Sequence, residues 1–188
     1  MKSEAVRATT TGATVMFFFG AIWLTLGLYA GRPSPISMRV GLLLAGIVLA
    51  AGIGMMVMRL ARQSPSTAIP SVEQAAVSRE KGRRFGWISA IEGGAIFLII
   101  VLLNVAHRPQ YIAPLIAVIV GLHFFPLAGL FGRPVYYVTG LLGCAIGTTG
   151  LLISDPALRT SFVGLSFGSL LWLTVAAVLV ECFSLKTT

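Results

Sequence analysis

Charge is scarce in this sequence. Lys, Arg, Asp and Glu make up 11% of the 188 residues, against about 25% in an ordinary soluble domain. That is too little polar surface to clothe a water-soluble globule. Acidic residues are scarcer still, 6 against 14 Lys and Arg. Such an excess in a soluble protein would point to nucleic acid; here the charges sit between apolar runs, so no nucleic-acid partner is expected. The two cysteines, Cys144 and Cys182, and two histidines, His107 and His123, are too few for a disulfide framework or a zinc site. The histidines fall at different depths, which excludes a bis-histidine haem. No phosphate-binding glycine loop and no nucleophile–base arrangement is present. No catalytic residue, metal site or cofactor is therefore expected. Strict period-two alternation is missing, which argues against a β-barrel.

What the chain does have is long apolar runs, with a mean hydropathy of +0.91. Ala8–Gly31 and Val40–Met58 carry no charge, and Phe85–Ala106 is broken only by Glu92. Pro109–Gly132, which contains His123, Pro134–Ser154 and Thr160–Val180 complete the set. Each has about the twenty residues an α-helix needs to cross a hydrocarbon core. In lipid every backbone group must be bonded within its own segment, which selects helices. The expected fold is all-α: a polytopic membrane helix bundle of about six transmembrane helices in one domain, 1–188. The spans fall at approximately 11–31, 38–59, 85–106, 111–131, 134–154 and 160–181, with a long loop at 60–84. The first run is too long for a signal-peptide core and lacks an A-x-A site before Arg32, so it is expected to be retained.

The loops carry the orientation. With the N-terminus inside, Lys2, Arg7, Arg59, Arg62, Arg79, Lys81, Arg83, Arg84, Arg133 and Lys186 are cytoplasmic. Only Arg32, Arg39, Arg108 and Arg159 lie outside. This bias predicts both termini in the cytoplasm, a cell-membrane location, and the inner membrane if the source is bacterial. In the 60–84 loop, Gln63–Pro70 reads as turn and linker because its prolines remove backbone donors. Ser71 with Gln74 resembles a capping box, predicting a short surface helix over Ser71–Lys81 that feeds into the third span. Arg79, Lys81, Arg83 and Arg84 then form a basic collar. It is either the topology signal alone or a docking patch for anionic lipid headgroups.

Small residues recur every four positions: Gly46, Ala50 and Gly54, then Gly143 and Gly147, then Gly164 and Gly168. That spacing lets helix backbones approach closely, within a bundle or across a homo-oligomer face. Gly31-Arg32-Pro33 with Val40-Gly-Leu-Leu echoes Gly132-Arg133-Pro134 with Thr139-Gly-Leu-Leu. The echo is either a 3+3 inverted repeat of the transporter kind or a coincidence of loop composition.

Chemistry inside the spans rests on Glu92 and His123. Glu92 lies eight positions beyond Arg84, about 12 Å in, and His123 ten positions before Arg133, about 15 Å from the same end. A short turn at His107–Gln110 joins their spans, so the two are expected to be adjacent, antiparallel and able to meet. An unpaired charge there costs at least about 2.5–3.5 kcal/mol. A carboxylate–imidazole pair can exchange a proton near neutral pH. It can equally be a structural clamp, with Glu92 bonded to His123, Ser89 or a carbonyl freed by Pro126. Asn104, His107, Tyr136, Tyr137 and Thr139 are assigned interfacial roles, and Glu181 is expected to reach water. Trp23 and Trp172 are expected to pack against lipid or neighbouring helices.

Gly121-Leu-His-Phe-Phe-Pro-Leu-Ala128, with Phe131, Pro134 and Tyr136-Tyr-Val-Thr-Gly140, resembles small bacterial membrane proteins of an uncharacterised family. The resemblance covers parts of two spans. It implies a six-span bacterial architecture with no activity attached, and places His123 in the recognisable segment. Two functions follow from the residues: a small-solute or proton-linked transporter or channel using Glu92 and His123, or a non-transporting membrane sensor, scaffold or assembly partner.

Overall fold

A computed structural model describes residues 2–30 and 72–187, with side chains over 12–30 and 75–181. The described residues form helices and short turns with no strand: α1 (Lys2–Ala30), α2 (Val72–Val105), a 3-10 turn (Pro109–Tyr111), α3 (Ile112–Phe131), α4 (Pro134–Leu152) and α5 (Pro156–Thr187). All five α-helices contain a stretch long and apolar enough to cross a membrane. The span expected at 38–59, its Gly46/Ala50/Gly54 stripe, the linker over 60–70, Ser71 and the first copy of the sequence echo lie outside the described residues.

Helix ends follow local chemistry. Gly132 takes a left-handed conformation (φ 64°) to end α3, and the Arg133 amide then reaches the Ala128 carbonyl, as glycine C-caps do. His107 holds the same left-handed position after α2 (φ 55°), with the Arg108 amide on the Leu103 carbonyl at 2.7 Å. Asp155 starts α5: its Oδ1 accepts the Leu158 amide at 2.7 Å, and Pro156 fills the first helical position, where a missing N–H costs nothing. The surface helix expected over Ser71–Lys81 feeds into the third span as expected. From Val72 it runs without a break into the apolar stretch, giving a 34-residue helix, so residues 72–84 of the expected loop are helical.

Packing runs through glycine. α1 and α5 are antiparallel and in backbone contact: a Cβ built on Gly164 would stand 2.5 Å from the Gly27 Cα, and one on Gly168 2.8 Å from the Gly20 carbonyl oxygen. Between α3 and α4, a Cβ on Gly121 would lie 2.7 Å from the Cys144 amide nitrogen, and one on Gly147 2.6 Å from the Pro114 carbonyl. Such small-residue seams replace the hydrophobic drive that lipid removes. Around them Trp23 meets Phe167 edge-on, and Phe17 stacks on Trp172, whose Nε1 donates to the Phe17 carbonyl. The core is centred on α5, where Val163, Phe167, Leu171, Val175 and Val178 are buried. α2 stands apart. Its packing among the described elements is on α3 and the 3-10 turn, and Trp87, Ile91 and Phe97 are exposed.

Candidate functional site

Within the apolar part of α2, from Phe85 on, the half-buried positions are Ile88, Ser89, Glu92, Ala95, Ile96, Ile99 and Leu103. Their three- and four-residue spacing defines one helical stripe, and this stripe faces α3. On α3 the buried stripe Ala113, Ala117, Gly121, Phe124 and Ala128 is turned to α4 and α5, which leaves His123 directed at α2.

Glu92 and His123 meet. His123 Nδ1 lies 3.3 Å from Glu92 Oε2, with the imidazole 10% and the carboxylate 20% exposed. The contact is within ion-pair reach but poorly aligned, so Nδ1 is buried without a hydrogen bond of good geometry. The Ile88 backbone is a further polar neighbour of the ring. Ser89 shares the stripe, three residues before Glu92. Moving one proton between carboxylate and imidazole converts an ion pair into two neutral groups without changing the net charge. That makes the exchange affordable in a low-dielectric setting. Among the described side chains no group of three or more His, Cys, Asp and Glu could hold a metal.

A chain of rings joins the pair to the basic end of the bundle. His123 meets Phe124 (centroids 6.3 Å apart), Phe124 meets Tyr136 (5.7 Å), Tyr136 meets Phe131 (6.3 Å) and Phe131 meets Phe85 (6.1 Å). At that end Arg133 pairs with Glu181 at 2.9 Å, and the Glu181 side chain remains exposed as expected. The four collar residues are brought to the first turns of α2, away from the pair. Glu80 sits among them, pairing with Arg83 at 2.7 Å and Arg84 at 2.9 Å, while Arg79 leans on the Ala75 carbonyl and Lys81 is exposed.

Two polar features escape the sequence reading. Arg159, assigned to an outer loop, is 3% exposed. Its Nε and Nη2 donate to the Ile153 carbonyl, at 3.0 and 2.6 Å, its Nη1 donates to the Gln110 carbonyl at 3.3 Å, and its guanidinium lies over the Tyr111 ring. The Asp155-Pro156 start signal carries the clue, since it places residue 159 inside the first turn of α5. Thr139, assigned to the interface, is buried and meets Thr174 hydroxyl to hydroxyl at 2.7 Å, joining α4 to α5. Threonine in an apolar run gives no sign of its partner.

No curated protein and no solved structure matches the chain. A family model, described as a family of unknown function (DUF7010), matches residues 84–181. The match takes in Glu92, His123, α2 from residue 84 on and the whole of α3, and leaves α1 outside. Because it spans just over half of the 188 residues, the chain belongs to the DUF7010 family.

Proposed function

We propose that this chain is a six-span membrane protein that carries out small-solute or proton-linked transport, with Glu92 and His123 as the polar station on its path. The observation that carries the reading is the 3.3 Å approach of the two side chains between α2 and α3. Lipid-exposed carboxylates are costly, and an acid kept in an apolar run beside a titratable base is functional by default.

The sixth crossing is supported by the ends of the described helices. α1 is antiparallel to α5, so Ala30 lies where α5 begins. α2 enters at the opposite end, because Phe85 meets Phe131 and the α3–α4 turn is tied to the end of α5 by Arg133 and Glu181. Residues 31–71 therefore connect opposite ends, and Val40–Met58 is the uncharged run there that can cross. The concentration of cations where α2 begins puts that end in the cytoplasm, and in a bacterial source the protein belongs to the inner membrane.

The test is flux in reconstituted vesicles. Glu92→Gln keeps shape and hydrogen bonding but cannot ionise, so proton-linked flux should fall to the level of empty vesicles while thermal unfolding in detergent is unchanged. Glu92→Leu strands His123 and should destabilise the fold under any reading. If wild type and Glu92→Gln carry the same flux, the pair is a structural clamp; if neither carries any, the protein is a sensor, scaffold or assembly partner.

A further inference from the structure

The geometry points to a gate: the N-terminal half of α2 swings away from α3 about Gly93-Gly94 and lifts the aromatic seal that separates the Glu92–His123 pair from water at the basic end. The inference rests on the transport reading for its purpose, though not for its geometry. It combines three observations.

Both helices are weakest beside the pair. Gly93 and Gly94 immediately follow Glu92, and glycine is the poorest helix former after proline. Pro126 stands inside α3 three residues after His123. It lacks the N–H that would bond the Leu122 carbonyl, next to His123 in the chain. Proline and paired small residues are where helices bend, and hinges absorb rotation over a few such positions.

The two glycines are not used for packing among the described residues. A Cβ at either would meet nothing within 4 Å, whereas those at Gly121, Gly143, Gly147 and Gly164 would strike a neighbouring helix. Close approach explains those four; Gly82, Gly86, Gly93 and Gly94 of α2 have no such contact among the described residues, and of these only Gly93 and Gly94 form an adjacent pair. Among the described helices α2 also has the least support from the others, packed on α3 and the 3-10 turn while α1, α3, α4 and α5 are joined through backbone seams.

The rings lie on one side of the pair. Phe85 of α2 closes on Phe131, which is backed by Tyr136 and Phe124. Beyond Glu92 the α2 stripe is aliphatic. Swinging the first half of α2 outwards parts Phe85 from Phe131 and opens a route to Ser89 and Glu92.

Ser89→Cys, in a background carrying Cys144→Ala and Cys182→Ser, reports this opening through its rate of reaction with a water-soluble maleimide in lipid nanodiscs. Adding Gly93→Ala and Gly94→Ala should slow labelling by roughly 15- to 30-fold, the combined preference of two alanines over two glycines for intact helix. The unfolding midpoint should rise. Phe131→Ala should speed labelling. The gate is overturned if the alanine pair labels at the parent rate, if its unfolding midpoint falls (the glycines are then packing positions), or if Phe131→Ala leaves the rate unchanged. Flux measured on the same proteins separates the two ideas. Labelling that follows the expectation in a parent without flux keeps the gate and removes transport.

Discussion

Arg159 is a cation buried among carbonyls, with no carboxylate bonded to it among the described residues. Its fork spans two acceptors, the Ile153 carbonyl that ends α4 and the Gln110 carbonyl that precedes α3. Lysine offers a point charge and cannot reproduce that fork. Arg159→Met should therefore destabilise by about 2–4 kcal/mol, since carbonyls buried without donors cost about 1–3 kcal/mol each. Arg159→Lys should recover only part of the loss, and thermal unfolding in detergent measures both. At this scale the sequence was legible where depth could be counted. Glu92 and His123 could be matched because each lies a known number of residues from a flanking arginine. Arg159 and Thr139 could not, because their partners Gln110, Ile153 and Thr174 come from helices whose rotation no local pattern fixes.

The helix pairs divide into seams and open faces. Gly164 belongs to a seam: any Cβ there strikes the backbone around Gly27, which has no side chain to move aside. Gly164→Ala should cost about 1–3 kcal/mol, whereas Gly12→Ala, with nothing within 4 Å, should be neutral or slightly stabilising. Unfolding midpoints of the two variants give the comparison directly. The sequence marked Gly164 and Gly168 by their spacing but passed over Gly20 and Gly27, which are seven apart and complete the same seam from α1. The basic collar behaves differently from a row of four free cations. With Glu80 holding Arg83 and Arg84, Arg79 and Lys81 carry most of the displayed charge. If anionic headgroups dock there, Arg79→Gln with Lys81→Gln should weaken retention of acidic lipid more than the same change at Arg83 and Arg84, and Glu80→Gln should strengthen it. Each accessible cation is worth about 1 kcal/mol near an anionic surface. Equal retention in all variants would reduce the collar to a topology signal.

Over the whole molecule, the all-helical character and the apolar lengths were open to the sequence because a span must satisfy its own backbone and fill a fixed thickness. The mutual rotation of the helices was not, because in lipid it is set by small-residue contacts rather than by an amphipathic pattern. The ends of α1 and α2 bear on the count of crossings. A cysteine at Ser34 and one at Ser66 should be labelled from opposite sides of a sealed vesicle, with Ser66 on the side of Arg84. Labelling of both from one side would remove the sixth crossing.

The clasp between α1 and α5 also constrains how the protein is made. These helices are the first and last of those described, yet they share the tightest backbone approach, at Gly27 and Gly164. During synthesis α1 is made long before its partner exists, and its glycine groove must wait while every intervening segment is added. Closure of this seam is thus a late event, and a ribosome stalled before Gly164 would leave the groove of α1 open.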